Sequence, residues 1–200
     1  MTKFKICGLM SAQDAAFVNA VQPDYAGMIL SPGFRRTVTR ETAAAIRKAL
    51  DSRIPLVGVF VDAEPAEIAA HVNSGIIQLV QLHGHENAAY IAALRNQTDA
   101  QILQAFRIRT EADVQRAEQS AADMILLDSG TGTGKAFDWS LLSGIRRPYF
   151  LAGGLNPENV TEAIRSMHPY GVDVSSGAET DGHKDPEKIR AFAEAVRIPE

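Results

Sequence analysis

The stretch Lys5-Ile6-Cys7-Gly8-Leu9 places the only cysteine of the chain at the end of its first apolar run, directly before a glycine. Seven further short apolar runs follow, separated by alanine-rich segments. Runs of near-continuous Val, Ile and Leu are typical of strands in a parallel sheet that helices cover. The eight predicted strands are Phe4–Cys7, Tyr25–Leu30, Leu56–Val61, Ile77–Leu82, Ile102–Ile108, Met124–Asp128, Tyr149–Ala152 and Val172–Ser175.

The segments between the runs have apolar residues at helical spacing. The clearest are Ala12–Ala20, Arg40–Leu50, Pro65–Val72 and Ala88–Arg95. Short polar side chains that suit a helix N-cap precede several of the predicted helices. These residues are Ser11, Thr39, Thr110 and Asn156, the last followed by Pro157 at the first helical position, where a missing N–H costs nothing.

Eight strand–helix units in 200 residues leave about 25 residues for each, against about 250 in total for a typical (β/α)8 barrel. We therefore predict one α/β domain over residues 1–200, a compact (β/α)8 TIM barrel with short loops. An open doubly wound sheet is the alternative, because periodicity does not show closure. A dinucleotide-binding sheet would carry GxGxxG after its first strand, whereas residues 7–12 read CGLMSA.

Composition excludes several classes of protein. Hydrophobic residues make up 46% and charged residues 22%, and the net charge of −4 argues against a nucleic-acid partner. A single cysteine excludes an internal disulfide and a CxxC pair. Neither a secretory signal nor an apolar stretch of about 20 residues is evident. We expect a cytoplasmic protein without membrane contact, as a monomer, with a homodimer as the alternative.

The loops after the last two predicted strands resemble a phosphate site. Gly153 and Gly154 follow the seventh strand, and Ser175, Ser176 and Gly177 follow the eighth. In this fold these loops bind phosphate through backbone N–H groups, and glycine lets the backbone approach closely. The alternative is that the two adjacent glycines form only a tight turn.

Polar residues at other strand ends are candidates for the same mouth. Asp128 ends an apolar strand, and a carboxyl in apolar surroundings keeps its proton more readily and can donate it; a cap or structural partner is the alternative. Of the adjacent Arg35 and Arg36, we expect one to be solvated and the other to bind a carboxylate. Asp173 alternates with apolar neighbours and is expected to face the barrel interior.

The histidines give no metal site. His83 and His85 form an HxH pair without an identifiable third ligand, so we expect a solvated His85 and a His83 that points into the mouth as a hydrogen-bonding group. Three other histidines are expected at the surface, at positions 71, 168 and 183. The segment Gly130–Lys135 fails the nucleotide-loop pattern, because Ala136 stands where Ser or Thr is required, and is interpreted as a mobile cover of the mouth.

Taken together, these motifs resemble the N-(5′-phosphoribosyl)anthranilate isomerase family. The resemblance runs from Lys5 to about Asp185, with the motifs in family order. KICG, QLHG, GGLNPENV and VDVSSG are the most specific of them. The others are DYAGMIL, SPGFRR, VGVFV, ILLDS and GTGKAFDW.

The resemblance implies an Amadori rearrangement of a phosphorylated aminoaldose in tryptophan biosynthesis. It assigns Asp128 as general acid and Cys7 as general base, and it needs neither a metal nor another cofactor. A free cysteine titrates at about pH 8.5, so positive surroundings, with Lys5 as a candidate source, are needed to form the thiolate.

The resemblance also implies substrate contacts. Arg36 should hold the substrate carboxylate. Gly154, Ser175 and Gly177, with their neighbours, should hold the phosphate.

Two residues depart from the family pattern, since Gln104 and His183 stand where lysine is expected, and either change could alter the electrostatics around the substrate. Two rival functions remain. One is an isomerase for the related histidine-pathway aminoaldose, which usually employs two aspartates rather than the cysteine found here. The other is a catalytically silent barrel that binds phosphorylated metabolites and does not need Cys7 and Asp128 together.

Overall fold

The computed structural model describes residues 1–128 and 139–198, and its centre is a closed barrel of eight parallel strands. The first strand pairs with the second on one side and with the eighth on the other. The predicted barrel is confirmed, and the open doubly wound sheet is excluded. The strands are β1 (Lys3–Ile6), β2 (Tyr25–Ile29), β3 (Leu56–Phe60), β4 (Leu79–Leu82), β5 (Gln101–Arg107), β6 (Met124–Asp128), β7 (Tyr149–Ala152) and β8 (Gly171–Val174).

Helices surround the barrel, and none in the described part of the chain combines the length and apolar character that crossing a membrane requires. A 3-10 helix, Trp139–Gly144, precedes β7, and a short hairpin of β9 (Glu179–Thr180) and β10 (His183–Lys184) follows β8. The α-helices are α1 (Ala12–Val21), α2 (Arg40–Ala49), α3 (Pro65–Asn73), α4 (Ala88–Arg95), α5 (Glu111–Glu118), α6 (Val160–Met167) and α7 (Pro186–Arg197).

Short polar side chains begin the helices as the sequence predicts, with one difference. The N-caps at Ser11, Thr39 and Thr110 are confirmed, since each hydroxyl accepts the backbone N–H three residues later. The prediction at Asn156 is wrong in its boundary, because α6 begins at Val160. The Asn156 side chain instead accepts two backbone N–H groups in the turn before the helix, which is the local competition that asparagine offers to helix formation.

Apolar side chains fill the barrel and the layer between its strands and the helices. Alternate residues of a strand point to opposite sides of the sheet, so each strand contributes to both layers. Polar side chains are also buried on the barrel strands among these apolar residues, namely Lys5, Gln81, Gln104 and Asp173. The inner apolar cluster consists of Leu103, Ala105, Leu126, Phe150 and Ala152.

His71 lies in the core, and its predicted surface position is wrong. The residue is 7% exposed on the inner side of α3, and its ring centroid lies 5.8 Å from that of Phe60. Burial lowers the pKa of His71, because the apolar surroundings disfavour the imidazolium. The imidazole Nδ1 has no hydrogen-bond partner among the described residues. The other two histidines expected at the surface are exposed.

We expect His71→Leu to make the protein less sensitive to mild acid. Because the folded-state pKa lies below the unfolded value of about 6.5, the unfolded chain binds the proton first, and wild-type stability falls as the pH drops below that value. Thermal unfolding between about pH 7.5 and about pH 5.5 measures this loss, with the exposed His183→Leu as control. An equal loss of melting temperature in both variants would contradict the interpretation.

Candidate active site

The carboxyl ends of the strands surround a cavity of about 320 Å3. Gly177 lies outside this lining, but it packs against Leu155, which belongs to it. The other predicted site residues all line the cavity: Cys7, Arg36, His83, Asp128, Gly153, Gly154, Asp173 and Ser175.

A larger cavity of about 570 Å3 lies at the opposite end of the barrel, where Arg147 precedes β7, Tyr149 begins it and Tyr170 precedes β8. It contains none of the predicted site residues. Ligands of parallel barrels bind at the carboxyl ends of the strands. We therefore take the smaller cavity as the candidate active site.

Cys7 follows β1 and lines the cavity although it is only 7% exposed. Its backbone N–H donates to the carbonyl of Val174 at 2.8 Å, which holds the position of the thiol beside β8. Gly27 on β2 provides room for the sulfur: a Cβ there would lie 3.0 Å from Cys7 Sγ and 3.1 Å from Lys5 Nζ. The thiol and the Lys5 ammonium therefore converge on one point of the cavity floor.

A buried ion pair forms that floor. Lys5 Nζ donates to both carboxylate oxygens of Asp173, at 3.0 and 3.1 Å, and the two residues are 1% and 9% exposed. Burial would lower the pKa of Lys5, but the charge of Asp173 and the nearby Cys7 outweigh it and raise the pKa above its ordinary value. The interior orientation predicted for Asp173 is confirmed, and Lys5 contacts both of its oxygens.

Asp128 lies at the end of β6, where its backbone carbonyl accepts the N–H of Ile108 at 2.9 Å. His83, which directly follows β4, faces it, with 3.5 Å between His83 Nε2 and Asp128 Oδ2. The side chains are 20% exposed for Asp128 and 31% for His83, so the cavity reaches both. His83 therefore points into the mouth, as predicted.

Arg36 is bound by a carboxylate of its own chain. Its Nε and Nη2 donate to the two oxygens of Glu179 at 2.7 and 2.9 Å. Arg35 donates to the same carboxylate at 2.7 Å but is 54% exposed, against 19% for Arg36. One solvated and one inward arginine are thus confirmed, although the forked face of Arg36 is occupied. Its Nη1 has no hydrogen-bond partner among the described residues and lies on a side chain that lines the cavity.

Glu179 gathers three cations beside the thiol. Lys184, buried like Glu179, donates to it at 2.8 Å. Burial would raise the pKa of Glu179, but hydrogen bonds from Arg36, Lys184 and Arg35 lower it to about 2. Burial lowers the pKa of Lys184, and this outweighs the opposite effects of Glu179 and of Cys7. The cluster carries more positive than negative charge, and it lies close enough to Cys7 to interact with it.

Two loops close the cavity beyond β7 and β8. Gly153 and Gly154 have φ angles of +93° and +69°, a backbone conformation that favours glycine. Gly177 lies so close to the first loop that a Cβ would overlap the Leu155 carbonyl oxygen and lie 2.9 Å from its carbon. The two loops are therefore packed backbone against backbone, and residues of both line the cavity.

The second histidine of the HxH pair points elsewhere. His85 Nδ1 lies 2.9 Å from Asp62 Oδ2, and the His85 side chain is 94% exposed, as expected for a solvated residue. The hydrogen bond and charge of Asp62 raise the pKa of His85. Over residues 1–128 and 139–198 no three His, Cys, Asp or Glu side chains are grouped to hold a metal ion. The cover predicted at Gly130–Lys135 lies outside the described residues.

The two departures from the family pattern lie away from the cavity lining. Gln104 is buried on the outer side of β5, where its Nε2 donates to the carbonyl of Glu86 and its Oε1 accepts from Ser120. His183 is exposed, and the lysine beside the site is its neighbour Lys184. Neither Gln104 nor His183 lines the cavity, so no direct contact supports the expected influence of these residues on the substrate.

Sequence reasoning missed four polar residues of the site. Gln81 lies two positions before the predicted residue His83, and Arg107 pairs in register with the predicted residue Asp128. The two-residue period of strands would have identified both. Glu179 and Lys184 belong to the β9–β10 hairpin, and no local pattern links them to the arginines after β2.

The family model, the curated relative and the two solved structures reported below all carry the name of one enzyme family. The family model described as N-(5′-phosphoribosyl)anthranilate (PRA) isomerase matches residues 4–195. The enzyme of that name from Endomicrobium trichonymphae is 42% identical over 99% of this chain and 98% of its own. The crystal structure of phosphoribosyl anthranilate isomerase from Thermotoga maritima has a TM-score of 0.90 at 36% identity, covering 98% of this chain and 99% of that one. A further structure of the enzyme, in complex with reduced 1-(o-carboxyphenylamino)-1-deoxyribulose 5-phosphate, has a TM-score of 0.86 at 34% identity with the same coverage.

We expect Gly177→Ala to destabilise the protein, because the added methyl group must push the loops after β7 and β8 apart. A cost of about 2 kcal/mol or more lowers the melting temperature of a domain of this size by ~4–8 °C. Thermal unfolding followed by circular dichroism measures the change. Gly144→Ala is the control, since the nearest atom to its Cβ would be 3.8 Å away. Equal melting temperatures in the two variants would contradict the close packing of the loops.

Proposed function

The chain belongs to the N-(5′-phosphoribosyl)anthranilate isomerase family, and we propose that it converts N-(5′-phosphoribosyl)anthranilate into 1-(2-carboxyphenylamino)-1-deoxyribulose 5-phosphate, a step of tryptophan biosynthesis. One observation carries the proposal. The phosphate-type loops follow β7 and β8, and these two strands separate β1, which Cys7 follows, from β6, which ends at Asp128. A sugar anchored by its phosphate at these loops extends between the thiol and the carboxyl.

Asp128 acts as the general acid. It protonates the ring oxygen of the furanose while the lone pair of the anthranilate nitrogen forms a double bond to C1′, so the C1′–O bond breaks and a protonated Schiff base results. Its partial exposure to the cavity and the facing His83 support this role. A positioned proton donor of this kind contributes about 10²–10⁴-fold to the rate.

Cys7 acts as the general base. Its thiolate removes the C2′ proton, and the C–H electron pair forms the C1′=C2′ bond while the π pair of the C1′=N bond returns to the anthranilate nitrogen. The resulting enolamine tautomerises to the ketone. Lys5 and Lys184 support this role, because both buried ammonium groups lie close enough to interact with the Cys7 sulfur. Asp173 holds Lys5 in place from below.

The two anionic ends of the substrate set its orientation. Gly153, Gly154, Ser175 and Gly177 hold the phosphate through the peptide groups of the two loops, and Arg36 holds the anthranilate carboxylate. Anchoring both ends restricts the sugar to geometries in which acid and base reach it, and such positioning is a large part of catalysis.

A fluorescence assay that follows the loss of phosphoribosylanthranilate tests the function. We expect turnover of this substrate, and a parallel assay with the histidine-pathway aminoaldose measures whether a second substrate is accepted. A protein that binds the substrate without consuming it would instead be the catalytically silent barrel. The monomeric state stays a prediction, which light scattering tests.

We expect Cys7→Ser and Asp128→Asn each to lower kcat by about 10²–10⁴-fold, because each removes one proton transfer and leaves the shape of the cavity intact. Both variants should still bind reduced 1-(o-carboxyphenylamino)-1-deoxyribulose 5-phosphate, which calorimetry measures. Near-normal turnover in either variant would overturn the assigned role.

We expect Arg36→Ala to raise KM about ten- to a hundred-fold with a smaller change in kcat, since a charge-assisted hydrogen bond contributes roughly 1.5–3 kcal/mol. Arg35→Ala is the matched control: it removes a partner of the same Glu179 carboxylate, but from an exposed side chain. Equal KM values in the two variants would show that Arg36 acts only through Glu179.

A further inference from the structure

Gln81 is a buried polar residue to which the mechanism above gives no role. It lies on β4, is 1% exposed and lines the cavity. Its carbonyl oxygen Oε1 has no hydrogen-bond partner among the described residues. An unpaired buried acceptor is costly, so a residue that retains one requires an explanation in its other contacts.

The other end of the same amide contacts His83. Gln81 Nε2 lies 3.1 Å from His83 Nδ1. An amide nitrogen donates only, so Nδ1 is the acceptor and the imidazole proton lies on Nε2. Nε2 is the ring atom that faces Asp128, 3.5 Å from its Oδ2. The amide thus selects the tautomer in which His83 presents an N–H to the Asp128 carboxyl.

We propose that Gln81 is a positioning residue, which holds His83 as the Nε2–H tautomer so that this N–H supports the Asp128 carboxylate formed when the acid gives up its proton. This inference rests on the proposed function of Asp128. The 3.5 Å separation shortens when substrate closes the site, as hydrogen bonds between catalytic groups commonly do. The unpaired Oε1 is the cost of keeping the amide in the orientation that His83 requires.

Nuclear magnetic resonance of the unaltered protein tests the first half of the inference. Long-range proton–nitrogen correlations distinguish the two neutral tautomers, and His83→Asn identifies the signals of His83. We expect the Nε2–H form in the wild type. An Nδ1–H form would overturn the inference, whatever the variants show. Because the measurement needs no turnover, its result is valid even if the proposed isomerase activity is not found.

Variants test the second half. Gln81→Met removes the donor at similar size, and Gln81→Glu replaces it with an acceptor that draws the proton to Nδ1. We expect kcat to fall about ten- to a hundred-fold in both variants, with KM within about twofold of the wild-type value. The loss of one hydrogen bond to a charged group corresponds to a change of about this size. In Gln81→Glu the nuclear magnetic resonance signals of His83 should change to those of a ring protonated at Nδ1.

The matched control is Gln104→Met, which removes another buried, hydrogen-bonded glutamine, on the outer side of β5. Its melting temperature should fall while kcat is retained. Equal losses of kcat in Gln81→Met and Gln104→Met would reduce Gln81 to a structural role and overturn the proposal. Unchanged kcat in Gln81→Met would do the same.

Discussion

The ion pair between Lys5 and Asp173 joins the first and the eighth strand of the barrel, and both the barrel and the site depend on it. The residues are 168 positions apart, yet they are register partners on β1 and β8, where the barrel closes. Two charges this deeply buried are tolerated only as a pair, and removing one partner of such a pair costs roughly 3–5 kcal/mol. Lys5 of this pair also interacts with Cys7, so the same contact holds an ammonium group beside the thiol.

A second set of charges organises the rim in the same way. Glu179 on the β9–β10 hairpin binds Arg35, Arg36 and Lys184, which brings the loop after β2 to the loop after β8. The excess of cations produces a positive wall at one side of the cavity. A substrate with a phosphate at one end and a carboxylate at the other suits this wall, because both ends are anionic. The carboxylate also fixes the orientation of Arg36 before any ligand arrives.

Regular elements were predictable because their causes are local. Near-continuous apolar runs indicated all eight strands, and hydroxyl side chains indicated three helix starts, since a cap needs only the three residues that follow it. His71 was mispredicted for the opposite reason. Whether a histidine in an amphipathic helix faces solvent or the core depends on the rotation of that helix against the sheet, here toward Phe60.

The sequence by itself determined which residues stand at strand ends, and hence that Cys7, Asp128 and the paired glycines share one mouth. Only the tertiary structure decided how those residues are supported: Asp173 binds Lys5 beside the thiol, Gln81 contacts His83, and Glu179 binds Arg36. The physical reason is range. Strand periodicity and capping act over a few residues, and the contact between Gln81 and His83 has the same short range. Asp173 and Lys5 are 168 positions apart and Glu179 and Arg36 are 143 apart, so barrel register and loop packing determine these partners.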